Sequence, residues 1–226
     1  MTDKENSLKD LLKRFEAFSL LEPNHLDWLS NRVKLFNSNV GQELLVADRL
    51  PEHCFCILEG RGRLLHQDPG LERPVTLALS HPGDLVGWIG LRRRAPCEWV
   101  AASTPMKLLG ILAEDFYWLE KNSQQFADWL SKKNSPAEFI NSLGPALSRR
   151  SKADPSERDV LRNLIPGMQI VTFNAGDSIP SNKDQSIWLW NGFPTGETNF
   201  KIDIGDYVKF DLLEKLPLKT SIRLLK

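Results

Sequence analysis

Leu8, Leu11, Leu12, Phe15 and Phe18 recur at helical spacing, with Lys9, Asp10, Lys13, Arg14 and Glu16 between them. That spacing predicts one amphipathic helix over residues 6–18, with its apolar stripe turned inward. Pro23 closes the following turn, and Asn24 is placed to cap a short second helix that carries Leu26, Trp28, Leu29 and Arg32. From Val33 the period changes to short apolar runs separated by turn residues. Strands are predicted at Val33–Phe36, Glu43–Val46, Cys54–Leu58, Gly62–His66, Val75–Leu79, Trp99–Ala102 and Lys107–Leu112. The turns between them fall at Asn37–Gly41, Glu59–Gly62, Asp68–Gly70 and His81–Asp84. Many short strands at even spacing predict an antiparallel sandwich or roll.

Past Leu112 the helical period returns through Phe116, Leu119, Phe126, Trp129 and Leu130, then through Phe139, Ile140, Leu143 and Leu147, with Pro136 at a helix start. Ser148–Pro155 is polar and basic and predicts a connector, and Asp154-Pro155-Ser156 opens a further short helix ending near Ile165-Pro166-Gly167. Beyond it the earlier pattern returns faintly. Phe173-Asn174-Ala175-Gly176 echoes the stretch from Phe36 to Gly41, Ile187–Gly192 echoes Phe55–Gly60, and Gly205-Asp206-Tyr207-Val208 echoes Gly83–Val86. The span from Gly192 to Gly205 is shorter than that from Gly60 to Gly83, so a second copy would be abbreviated; unrelated hairpins sharing Asn-Gly and Gly-Asp turns would give the same echo. The expected organisation is N-terminal helices over 1–32, a β-roll over 33–112, a helical region over 113–150 and a small β-rich segment over 151–226.

Composition narrows the function classes. A chain of 226 residues with 41% apolar content can build a real core. Its 29 basic residues match its 29 acidic ones, so no global field draws nucleic acid or an anionic membrane, and no nucleic-acid partner is expected. No apolar run approaches the roughly 18 residues of a membrane span. Three cysteines, an odd number, behind a polar start fit a reducing, cytoplasmic setting.

No GxSxG, Walker-type loop or HExxH occurs, and the four histidines are scattered, so no catalytic residue is assigned and an enzyme is not expected. Cys54 and Cys56 fall on one face of a strand beside His53, but a zinc site wants three or four ligands and no second cluster is visible. They are expected to be core cysteines, with no metal and no cofactor.

The candidate chemistry lies in Gly83-Asp84-Leu85-Val86-Gly87-Trp88-Ile89-Gly90-Leu91, with Arg92, Arg93 and Arg94, then Ala95-Pro96-Cys97-Glu98-Trp99-Val100. A Gly-Asp pair ends an apolar strand, a second Gly permits a tight turn, one short helical turn follows, and an apolar strand resumes at Trp99. Together with Gly41-Gln42-Glu43-Leu44-Leu45 and Phe55-Cys56-Ile57-Leu58-Glu59-Gly60, this resembles the ordered turn signatures of cyclic-nucleotide-binding domains of the Crp/Fnr and kinase-regulatory-subunit type. The resemblance implies an α+β, mainly β fold: a jelly-roll-like double-stranded β-helix flanked by helices, followed by the smaller β-rich segment. It also implies a nucleotide pocket at Gly83, Asp84, Gly87, Trp88, Ile89, Leu91, Pro96, Cys97 and Glu98.

That pocket departs from the family pattern. Trp88 stands where a ribose-binding Glu belongs and Pro96 where a phosphate-binding Arg belongs, while Glu98 would repel phosphate. Neither cAMP nor cGMP is expected to bind. Trp88 either plugs the space or stacks a flat ligand, and Arg92, Arg93 and Arg94 form either a solvated basic turn or a substitute anion contact. A basic helix-turn-helix is not evident over 166–226, which counts against a Crp/Fnr-like transcription regulator. The Pro-Cys-Glu run also resembles the N-terminal regulatory region of cyanobacterial peptidase-containing ABC transporters. These features imply a regulatory or interaction domain, with regulation of a peptide exporter as one role; the alternatives are sensing of another small ligand through Trp88 and Arg92–Arg94, or a Crp/Fnr-like transcription regulator. A homodimer or protein partner is expected to engage the apolar face of the helices from Ala113 to Leu147.

Overall fold

The computed structural model describes residues 3–67, 72–133, 135–140, 170–173, 188–191 and 222–225. They fall into two compact units, Met1–Ala137 and Glu138–Lys226.

The first unit is a β-roll of two four-stranded antiparallel sheets. One has the order β1 (Lys34–Ser38), β8 (Met106–Leu112), β3 (His53–Glu59), β6 (Leu85–Val86); the other has β2 (Glu43–Leu45), β7 (Trp99–Ala102), β4 (Gly62–His66), β5 (Val75–Ser80). Each of the seven expected strands is present to within two residues at either end. The eighth, β6, has too few residues to show a period, and forms by pairing Leu85 and Val86 with Cys56 and Phe55. Side-chain alternation gives β8 two buried faces: Leu109 and Ile111 join the helix-covered core, while Leu108 is buried on the opposite side. Gly60 turns the chain at φ +87°, where a Cβ would stand 2.2 Å from the Pro105 carbonyl oxygen.

The helices depart from expectation in two places. The single helix over 6–18 is instead α1 (Asp3–Leu12) and α2 (Glu16–Ser19), broken at residues 13–15. In an unbroken helix each three-residue step from Leu12 to Phe15 to Phe18 drifts by about 60°; the break lets all three bury. The next helix, α3, runs Pro23–Ser30 with Glu22 at its N-cap position and Pro23 at N1, so Asn24 lies inside the helix and is not its cap. After the roll, α5 (Ala113–Asn122) and α6 (Gln124–Lys132) meet at Ser123, whose hydroxyl accepts from the Phe126 N–H at 3.3 Å. The stretch 136–140 is helical, beginning at the expected Pro136.

The apolar face of α5 and α6 is not left uncovered. Phe116, Leu119, Phe126 and Leu130 join Phe15, Phe18, Cys54, Cys56 and Leu109 in one buried cluster, and Phe126 stacks on Phe18 at 5.8 Å. The short amphipathic helices cover each other as well as the sheet, so these four side chains offer no docking face. Leu143 and Leu147 lie outside the described residues.

In the second unit β9 (Ile170–Phe173), β10 (Trp188–Asn191) and β11 (Ile222–Leu225) form an antiparallel sheet ordered β10-β11-β9. The last strand in sequence lies between the two earlier ones, as β8 lies between β1 and β3. The connector at Ser148–Pro155, the short helix after it and the Gly205–Val208 echo lie outside the described residues. Among the described residues, no helix is long and apolar enough to cross a membrane.

Candidate functional site

The turn from β5 into β6 is held by the Asp84 side chain and by the backbone of β3. The Asp84 carboxylate accepts from the His81 N–H at 2.7 Å, and the Gly83 N–H donates to the Ile57 carbonyl at 2.9 Å. Gly83 and Asp84 are exposed, and they deliver the chain to Gly87. Gly87 has φ +88°, and a Cβ there would lie 2.7 Å from the His53 carbonyl oxygen, so the close pass of the turn over β3 requires glycine. A single short helix, α4 (Trp88–Arg93), follows.

The N–H groups at the start of a helix have no partner within it. Here Glu98 supplies one. Its carboxylate accepts from the Gly87 N–H at 3.0 Å through one oxygen, and from the Ile89 and Gly90 N–H groups at 3.1 and 3.2 Å through the other. Glu98 is 3% exposed, so these bonds form away from bulk water. A buried carboxylate needs such donors to replace its lost hydration, and bonds to a charged acceptor are stronger than neutral ones. The turn therefore already holds an anion, donated by β7's leading edge. The expectation that Glu98 merely repels phosphate missed this role; the available signal was an acid between Cys97 and Trp99, where a strand otherwise turns apolar.

The other expected residues scatter. Trp88 is 6% exposed and packs against Trp129 with ring centroids 5.6 Å apart. Ile89, Leu91 and Cys97 belong to the buried core, and Pro96 is exposed. Arg92 donates to the Lys133 carbonyl at 3.0 Å, and Arg94 pairs with Glu120 at 2.9 Å with its guanidinium 3.4 Å above the Tyr117 ring. These two arginines thus tie α4 to α5 and to the end of α6. Burial raises the Glu120 carboxyl above its ordinary value, against the pull of Arg94 and Arg92. Cys54 and Cys56 are buried in the roll, where burial pushes both thiols up and keeps them neutral. Among the described residues no three His, Cys, Asp or Glu side chains group as metal ligands.

A cavity of about 290 Å³ lies against this turn. Gly83, Asp84, Trp88, Ile89 and Glu98 line it, so five of the expected site residues share one space. Glu16 from α2, Trp129 from α6 and Lys133 just beyond it also line the cavity, together with residues of β4 and β5 such as Leu64 and Leu79. Lys133 bridges to Glu16 at 2.6 Å, and this hydrogen bond holds the Glu16 carboxyl below its ordinary value.

The chain is similar in fold to solved structures that include cAMP-bound regulatory domains and a sensor domain. The regulatory domain of Toxoplasma gondii PKA with cAMP is 16% identical, with a TM-score of 0.50, over 100% of this chain and 90% of that one. The cAMP-bound PfPKA-R is 15% identical at a TM-score of 0.50, over 100% of this chain and 80% of that one. The sensor domain of the transcriptional regulator DNR from Pseudomonas aeruginosa is 14% identical at a TM-score of 0.52, over 68% of this chain and 97% of that one. No family model matches the chain, and no curated protein does. The chain has the α+β, jelly-roll-like cyclic-nucleotide-binding fold that the turn signatures implied.

Proposed function

We propose that this chain is a non-enzymatic regulatory domain whose nucleotide pocket is filled from within, the Glu98 carboxylate standing where a cyclic phosphate would sit. The observation that carries this reading is the set of three bonds from Gly87, Ile89 and Gly90 to Glu98. A cyclic phosphate entering the turn must displace an anion that is covalently part of the chain, with neither an arginine at position 96 nor a glutamate at position 88 to compensate. Each missing charge-assisted contact is worth about 1.5–3 kcal/mol, so cAMP affinity falls by about two to four decades before Glu98 adds its own opposition. The proposed second copy of the roll over 151–226 is supported by the shared strand order of β10-β11-β9 and β3-β8-β1. Regulation of an ABC-type peptide exporter is supported by the Pro96-Cys97-Glu98 resemblance.

The likeness to the DNR sensor domain favours a second reading, the sensing part of a transcription regulator. Strands β9 to β11, where a compact helix-turn-helix would be sought, weigh against it. Calorimetric titration with cAMP and cGMP tests the pocket. The wild-type chain gives no saturable heat, while Trp88→Glu with Pro96→Arg and Glu98→Ala gains binding. Micromolar affinity in the wild type refutes the proposal.

A further inference from the structure

The cavity beside Trp88 carries charge mostly of one sign. Glu16, Asp84 and Glu98 bring three carboxylates to its lining, against one lysine, Lys133, among the described lining residues. Its aromatic wall is the pair Trp88 and Trp129, tilted by 60° to one another. Each indole already has a cation over its face: the Arg92 guanidinium is 5.8 Å from the Trp88 ring centre, and the Lys133 ammonium 5.7 Å from that of Trp129. Lys133 is held at the same time by the Glu16 carboxylate. An ammonium between a carboxylate and an indole face is the arrangement by which aromatic sites hold alkylammonium ions.

The resident ammonium is replaceable. It rides on a flexible stem, its side chain is 38% exposed, and that of Glu16 is 66% exposed, so the pair contributes little to stability. Leu64, Leu79 and Ile89 supply an apolar wall for an alkyl group. A volume of about 290 Å³ suits a small guest.

We infer that this cavity binds a small alkylammonium ion, which takes the place of the Lys133 ammonium between Glu16 and Trp129. The inference rests on the reading of the pocket as closed to phosphate. A guest cation takes the exposed Glu16 carboxylate, on a short helix, as its partner, with the Asp84 and Glu98 carboxylates on the same lining.

The full chain is titrated with choline and with its neutral isostere 3,3-dimethyl-1-butanol, followed by calorimetry and tryptophan fluorescence. Choline binds saturably and at least about fivefold more tightly than the isostere. Glu16→Gln weakens choline by a similar factor, and Lys133→Met strengthens it by removing the competing ammonium. Both positions are on the surface, so both variants fold. Equal binding of the two probes, choline affinity indifferent to both substitutions, or no saturable binding even in Lys133→Met overturns the inference. A parallel cAMP titration separates the two claims: binding of neither probe nor cAMP overturns this inference alone, whereas binding of cAMP overturns the phosphate-closed pocket and this inference with it.

Discussion

Replacing Glu98 with alanine removes the acceptor from three N–H groups at once. The bonds from Gly87, Ile89 and Gly90 measure 3.0, 3.1 and 3.2 Å, and the carboxylate is 3% exposed. A buried donor left without a partner costs about 1–3 kcal/mol, so the gross penalty is about 3–9 kcal/mol. Two effects reduce it: the folded chain no longer desolvates a carboxylate, and water can enter the vacated space. The low end, about 3 kcal/mol, is the expected loss, and it lowers the melting temperature by on the order of 10 °C. Thermal and urea unfolding measure it. Formate restores the missing acceptor and therefore raises the melting temperature of Glu98→Ala more than that of the wild type. Glu98→Gln, whose amide presents an N–H to at least one donor, falls below the wild type without formate rescue. A Glu98→Ala protein that melts within about 2 °C of the wild type, with no response to formate, refutes the role assigned to this carboxylate.

Three further outcomes follow from the same packing. Gly87→Ala destabilises the roll by more than about 1 kcal/mol in urea unfolding, because alanine is strained at φ +88° and its methyl meets the His53 carbonyl; equal stability means that the turn has another shape. Phe126→Ala costs about 3–5 kcal/mol without altering the sedimentation coefficient, since its ring packs on Phe18 and Phe116 within one chain; a change of oligomeric state at unchanged stability contradicts this. Burial raises the Cys54 and Cys56 thiols above their ordinary value of 9.0 in the folded chain. Above about pH 9 the unfolded chain therefore binds fewer protons than the folded one, so stability is full below that pH and falls as pH rises, by up to about 1.4 kcal/mol per pH unit for each thiol. Cys54→Ala with Cys56→Ala flattens the alkaline limb of the stability curve; an unchanged limb excludes these thiols as its source.

The roll was legible because its strands alternate and its turns sit at glycines, with Gly41, Gly60 and Gly83 all at positive φ. Local pattern fails where a tertiary partner decides. Strand β6 has only two residues and is defined by β3, and the break after Leu12 is set by the core that receives Phe15 and Phe18. The site divides the same way. Gly83, Asp84, Trp88, Ile89 and Glu98 were expected together from turn signatures and line one cavity, yet the donors that Glu98 serves lie eight to eleven residues earlier in the chain, and no spacing rule connects an acid to backbone N–H groups. Arg92 and Arg94 read as a basic run until α5 and α6 give them partners. Glu16 and Lys133 are far apart in sequence and become neighbours only when the helices pack.

The most direct measurement is the amide-proton NMR of Gly87, Ile89 and Gly90 in wild-type and Glu98→Gln protein. Protons bonded to a carboxylate resonate downfield and exchange slowly when buried. In the glutamine variant these three move upfield and exchange faster, while the amides of β3 and β8 hold their positions. Three amides that neither shift nor change exchange rate contradict the claim that the Glu98 carboxylate occupies the turn.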